Sequence, residues 1–308
     1  MASACAHANA CFEADLHEKN MDQIKPQNLL LASLVALLSY LCVALMGAAV
    51  KLMPSTVHTG VMIFFQYVIA LILCVPLALK QGLANLKTQK FPAHVLRDLA
   101  GVVTFGLFFL SLAYISLTNS IVLRSTTPFW IPLILLVWRR DRVSMVLWIS
   151  IIIGFIGVVF IVQPGTHGYF NLGSLLALAS GFVMGISALT IRRLGKTEPP
   201  QRTLFYYFLI ATIVSIPFAI YSWSPLNLHA WILLIIIGIL MYVIQYTLII
   251  AFSYAKASKL SPISYSAIVF SGLLDWLVWH QVPNLYGYIG IVLVIAAGMV
   301  TIFFEKQT

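Results

Sequence analysis

The sequence predicts an all-α polytopic membrane protein of ten transmembrane helices in two inverted five-helix repeats, and three observations predict it. The composition is 61% hydrophobic and 9% charged, against roughly half apolar and about a quarter charged in soluble domains. Ten apolar runs approach the roughly 20 residues that carry a helix across about 30 Å of hydrocarbon. The chain is also written twice: Phe64 to Leu79 (FFQYVIALILCVPLAL) returns 141 positions on as Phe205 to Ile220 (FYYFLIATIVSIPFAI), with Pro76 landing on Pro217. Ser33 to Leu37 likewise maps onto Ser174 to Leu178, Lys51 onto Arg192 and Tyr114 onto Tyr254. A repeat holding an odd number of spans must be inverted relative to its copy, a plan on which many secondary transporters are built.

In order along the chain, residues 1–27 are polar and mixed in charge, with no cationic start followed by an apolar stretch, and read as a cytoplasmic tail rather than a signal peptide. Apolar runs then fall at 29–50, 57–79, 98–116, 119–138 and 143–163, so that residues 28–164 form the first repeat. Runs at 172–191, 203–222, 230–253, 260–279 and 284–304 form the second, residues 165–308. The connections, such as Gln163-Pro164-Gly165 and Glu198-Pro199-Pro200, are too short to fold as soluble domains. A net charge of +9 would suggest nucleic acid in a soluble protein, but here its placement is a topology signal and no nucleic-acid partner is expected. With the amino terminus inside, sixteen of the eighteen Lys and Arg fall on inner segments; Lys51 alone lies in an outer loop, and Arg124 lies inside a helix. Both termini are therefore expected to be cytoplasmic. Cys5 and Cys11 lie in the tail, Cys42 and Cys74 in the first two spans, a pattern with neither disulfide nor metal-ligand spacing.

The stretch LAYISLTNSIVLRSTTPFWIPLILLVWRRDRVSMVLWISIIIGFIGVVFIVQPG, and its counterpart AFSYAKASKLSPISYSAIVFSGLLDWLVWHQVPNLYGYIGIVLVIAAGMV, resemble the EamA-type family of the drug/metabolite transporter superfamily. The resemblance covers about residues 29 to 304. It implies a basket of ten helices with a central cavity lined largely by the first, third, fourth, sixth, eighth and ninth, and solute transport by alternating access. It implies a place for Pro128 in the fourth helix and for Asp141 in the loop after it. Ala267-Ile268 and His280-Gln281 depart from the Glu-Pro and Gly-Glu usual in the second half. For a bacterial family of this kind an inner-membrane location is expected, with a small-molecule solute and membrane lipid as partners, no cofactor, and no assigned oligomeric state.

Two ionisable residues stand out inside predicted spans: Arg124 in the fourth and Asp275 in the ninth. Each costs about 2.5–3.5 kcal/mol at a helix centre on insertion scales, so such residues face a cavity or a partner. Counted from the outer helix ends at 1.5 Å per residue, both lie roughly 7–9 Å down, and they are expected to meet each other or one zwitterionic ligand. Arg124, Thr127, Pro128 and Ile131 share one face; Ser264, Ile268, Ser271, Gly272 and Asp275 share another. Gln66 in the second span and the stripe Tyr242, Gln245, Tyr246 in the eighth complete the candidate substrate-binding or coupling set, with interhelical hydrogen bonding as the alternative role. Gly181 and Gly185, and Gly154 and Gly157, read as close helix packing. No catalytic residue or metal ligand is expected: His7, His17, His58, His94, His167, His229 and His280 sit in the tail, at helix ends or in loops, without ligand spacing. There is no phosphate-binding G-x-x-x-x-G-K-[ST] loop, so gradients would supply the energy. The expected function is secondary active transport of a small polar or zwitterionic metabolite, an amino acid or amino-acid derivative above all. The alternatives are a multidrug or hydrophobic-cation exporter, or a non-transporting scaffold or receptor.

Overall fold

The computed structural model describes residues 29–80, 86–139, 145–162, 171–195, 197–254 and 260–304. The amino-terminal tail with Cys5 and Cys11, the loop residues Arg140 to Arg142 and the Gln163-Pro164-Gly165 turn lie outside them. The described residues are helical, without strands: α1 Leu29–Lys51, α2 Thr59–Lys80, α3 Phe91–Ser111, α4 Leu117–Arg124, α5 Thr127–Arg139, α6 Met145–Val162, α7 Leu172–Leu194, α8 Pro200–Tyr221 and α9 Leu228–Tyr254. A 3-10 turn, Ser261–Tyr265, then leads into α10 Ser266–Trp279 and α11 Leu285–Phe304. Among them nine stretches are long and apolar enough to cross a membrane, α4 and α5 counting as one, and a shorter apolar helix, Leu285–Thr301, follows them. Large apolar side chains such as Ile72, Val137, Ile220 and Leu277 remain more than half exposed on the outside of the bundle, as lipid contact requires.

The helices pack across the two repeats more than within them. The principal neighbours are α1 with α9, α3 with α7, α2 with α8 and α6 with α11. Exchanging the repeats turns the first pair into the second and returns the other two to themselves, which is the contact pattern of a two-fold. Individual bonds obey it: Ser39 Oγ donates to the Ile244 carbonyl at 3.1 Å, and Ser180 Oγ, 141 positions on, donates to the Thr104 carbonyl at 2.9 Å. At the α6–α11 crossing a Cβ on Gly157 would lie 2.9 Å from the Gly290 carbonyl, and one on Gly290 would lie 2.6 Å from the Gly157 carbonyl. Only glycine lets these backbones approach, the close-packed seam expected for small residues in membrane helices.

Two sequence expectations on element boundaries change. The fourth span is broken into α4 and α5 at Ser125-Thr126. Pro128 has no N–H for the Arg124 carbonyl; Thr127 Oγ1 donates to that oxygen instead at 2.9 Å, while Ser125 Oγ and Thr126 Oγ1 take the Ile121 and Leu123 carbonyls, each at 2.7 Å. The third span starts at Phe91, seven residues before the predicted 98. Pro92, in the first turn of α3, is a helix-start residue, so Arg97 lies within the helix and not in the preceding loop, and Asp98 lies two turns inside it and not at its first residue.

Candidate functional site

Asp275 and Arg124 are both buried, at 1% and 9% exposure, but they do not pair. The Asp275 carboxylate caps α4. Its Oδ2 accepts from the Thr118 backbone N–H and from Thr118 Oγ1, each at 2.7 Å, and its Oδ1 accepts from the Leu117 N–H at 3.3 Å. These are donors a helix start leaves unsatisfied, and its positive dipole end favours an anion. The countercharge is Lys51, the last residue of α1, whose Nζ lies 3.2 Å from Oδ1, 3.4 Å from Gln281 Oε1 and 4.4 Å from the centre of the Trp279 ring. Arg124 sits at the other end of α4, six residues from Thr118 and so about 9 Å further along the axis. The expectation of equal depth fails because the helix ends are not level: α4 begins near the height of Asp275, about a turn below the end of α10.

Lys51, assigned to a loop from the sequence, is thus the partner that Arg124 was expected to be. His280 closes α10 in the left-handed conformation with φ 54°, and the Gln281 N–H bonds the Asp275 carbonyl at 3.1 Å. A cleft of about 510 Å³ opens beside this cluster, lined among others by Ser116, Thr118, Asn171, Asp275, His280 and Asn284.

Arg124 instead lies among aromatic rings. Its guanidinium stands 4.7 Å from the centre of the Phe105 ring and 4.8 Å from that of Phe108, and its Nη2 makes a weak bond to Met184 Sδ at 3.8 Å. Tyr40, Tyr67 and Tyr207 are within electrostatic reach. No carboxylate among the described residues pairs with it. Rings can hold a cation in cation–π contact, yet a guanidinium has five N–H donors, and an anion would satisfy several at once.

A second buried cluster adjoins it. Arg97 lies 3.9 Å from the centre of the Tyr207 ring, and Tyr207 Oη is 3.0 Å from Tyr67 Oη, a hydrogen bond joining α8 to α2. Arg97 Nη1 donates to Asp98 Oδ1 at 3.0 Å, whereas Asp98 Oδ2 is buried without a partner. The sequence reading missed this cluster because the apolar window opened only at residue 98; the start signal of Pro92 could have found it.

The remaining predicted residues divide. The Thr127 hydroxyl serves the helix break, bonding Arg124 and Gly181 carbonyls, and Ser271 Oγ bonds back to the Ile268 carbonyl at 2.9 Å. Ser264 lies half-buried in the 3-10 turn leading into α10. Gln66 is fully buried with neither amide atom bonded. Tyr242 and Tyr246 stack with centres 5.6 Å apart and planes at 10°, and Gln245 beside them is half-buried. Gly181 lies against the break in the fourth span, where a Cβ would come 2.9 Å from the Arg124 carbonyl.

A duplicated bundle of apolar helices with buried charges and a capped half-helix belongs to the class of polytopic membrane proteins. The EamA-like transporter family matches the chain twice, over residues 30–163 and 171–303, and the chain belongs to that family. It is 27% identical to the pseudopaline exporter CntI of Pseudomonas aeruginosa (strain UCBPP-PA14) over 86% of this chain and 93% of that protein. It is 30% identical to a riboflavin transporter of Vibrio cholerae over 75% and 77%, and 24% identical to an S-adenosylmethionine uptake transporter of Rickettsia bellii over 83% and 88%. One solved crystal structure, 18% identical, superposes with a TM-score of 0.62 over 92% of this chain and 99% of the other, a likeness of fold. The chain is therefore an integral membrane transporter of small molecules.

Proposed function

We propose that the protein is a secondary carrier for a small metabolite bearing a carboxylate or other anionic group, a zwitterionic amino-acid derivative above all, and that it works by alternating access. The observation that carries this reading is Arg124: a buried cation lacking a carboxylate partner among the described residues and walled by Phe105 and Phe108. A ligand carboxylate would bond the guanidinium, and the faces of Tyr40, Tyr67, Tyr242 or Tyr246 would receive an ammonium, sulfonium or planar group. Asp275, expected from the sequence to meet Arg124 or share its ligand, acts in this reading as a latch. By holding α10 to α4 and α1 it closes the mouth at the Lys51 end, the outer one if both termini are cytoplasmic. One set of relatives transports S-adenosylmethionine, by its name an amino-acid derivative, which agrees with this class.

The test is a thermal-shift screen of the purified protein against amino acids, S-adenosylmethionine, riboflavin and hydrophobic cations, since a ligand of the folded state raises the melting point by mass action. Saturable proteoliposome flux of each hit follows. Zwitterionic or anionic hits whose affinity drops roughly 10- to 100-fold in Arg124→Gln, the equivalent of about 1.5–3 kcal/mol for charged hydrogen bonds, support the reading. Hits confined to hydrophobic cations, unaffected by Arg124→Gln, refute it.

A further inference from the structure

Asp98 is the one carboxylate within the described membrane spans, apart from the Asp275 latch, and the reading above gives it no task. It is 0% exposed and sits in the third turn of α3, seven residues or about 10 Å from the helix start. Adjacent residues on a helix point about 100° apart and do not normally meet, yet Arg97 Nη1 reaches Oδ1 at 3.0 Å. The other oxygen, Oδ2, and Arg97 Nε are buried without partners. An ionised carboxylate offers about four lone-pair sites, and leaving most unused away from water is costly. A carboxylic acid would need fewer acceptor bonds, and the unpartnered oxygen is where a proton would sit.

The surroundings make this site one that can change charge. The charged and titratable groups about Asp98 are Arg97 on its own helix, with His94, Glu198 and Arg202 beyond it, Tyr207 on α8, Tyr67 on α2 and, beyond the two tyrosines, Arg124 on α4. With Asp98 ionised, its charge compensates Arg97 and leaves Arg124 as the free cation. With Asp98 protonated, Arg97 is also uncompensated, and the Tyr207–Tyr67 pair lies between two guanidinium groups. An anion entering there is then drawn by both.

We propose that Asp98 is a proton-binding site whose occupancy is linked to that of the anion site at Arg124, so that proton and anionic solute bind together. The step is a protonation alone: the carboxylate takes H⁺ from water at an aqueous mouth and returns it there, with no bond to the solute made or broken. Linkage is reciprocal, so bound anion favours the proton as much as the proton favours the anion. This inference rests on the carrier reading for its purpose, but the proton site can be tested without any solute. In the full-length protein reconstituted into lipid, infrared difference spectra recorded along a pH titration report a buried carboxylic acid through its C=O stretch. The band should grow as the pH falls in the wild type and in Asp275→Asn, should move on incorporation of carbon-13 aspartate, and should be missing from Asp98→Asn. Asp98→Glu guards against a folding defect: its band should persist without the aspartate isotope shift. A band that survives in folded Asp98→Asn, or a wild type with no titrating band, overturns the proposal. Absence of saturable flux with the band intact would sink the carrier reading and leave the proton site standing.

Discussion

Whether Asp275 belongs to Lys51 or to Arg124 is decided by two double-mutant cycles. The carboxylate has four close donors: Lys51 Nζ at 3.2 Å, the Leu117 N–H at 3.3 Å, and the Thr118 N–H and Oγ1 at 2.7 Å each. Breaking a buried ion pair from one side costs about 3–5 kcal/mol, much of it the penalty of the charge left behind. The Lys51 side chain is 14% exposed, so water reaches it and Asp275→Asn should fall near the lower end, about 3 kcal/mol. Lys51→Met should cost less, about 2 kcal/mol, because Asp275 keeps its three donors from α4. In the double variant neither charge is stranded, so the two costs should fail to add by about 1–3 kcal/mol, the range for groups in direct contact. Arg124→Met with Asp275→Asn should instead add within about 0.5 kcal/mol, since about 9 Å of helix α4 separates the groups. Unfolding in mixed micelles, followed by circular dichroism, measures all six proteins. Additivity in the Lys51 cycle, or a coupling above about 1 kcal/mol in the Arg124 cycle, would refute the assignment of the latch.

Other expectations follow from the same geometry. Gly181→Ala would drive a Cβ to 2.9 Å from the Arg124 carbonyl and 3.1 Å from that of Leu123, backbone atoms that cannot yield. A loss of about 1–3 kcal/mol is expected in the same unfolding assay. Gly106→Ala, with nothing within 4 Å of the new Cβ, should be neutral or stabilise by up to about 1 kcal/mol. Glu198, in the connection before α8, carries the acid dependence: burial pushes its carboxyl up, but hydrogen bonds from Arg202 and Thr88 and the charges of Arg202 and His94 outweigh this and hold it below the usual glutamate value. Its stabilisation is therefore present above that ordinary value and is lost as the pH falls through the lower, folded one. Melting curves across the acid range should show this loss in the wild type and a flatter limb in Glu198→Gln.

The number of spans, the duplication and the burial of Arg124 and Asp275 were legible in the sequence, because each rests on local hydropathy or on direct comparison of the chain with itself. The partners of the two charges were not. A count of residues from helix ends gives depth only if the ends are level, and the start of α4 lies about a turn below the end of α10. Lys51 was invisible as a counter-ion because the last residue of a helix reads as loop, although its stem can lie along Trp279 and return its ammonium to Asp275. The break at Ser125-Thr126 could have been anticipated from Pro128 together with three consecutive hydroxyl residues, which supply local donors for the carbonyls a proline leaves open. Arg97 was lost to the hydropathy window and Asp98 was read as a span end, because the window discounts a polar helix start even where Pro92 marks it.

The duplication makes the latch instructive, since only one copy carries it. At the 141-residue offset of the repeats, Lys51 corresponds to Arg192, but Asp275 corresponds to Ile134. Ile134 packs on α7, its Cδ1 lying 3.2 Å from where a Cβ on Gly185 would stand, so the position that carries a carboxylate at one mouth carries an apolar contact toward the other. If the repeats exchange conformations during transport, as proposed, the two closed states are then held by different forces. Closure at the Lys51 end depends on a charge pair and a helix dipole, whereas the equivalent position at the other end contributes apolar packing. Asp275→Asn should therefore favour opening at the Lys51 end. A carrier built from two copies of one module thereby acquires two unlike gates, so that one substitution can loosen the Lys51 end and leave the other as it was.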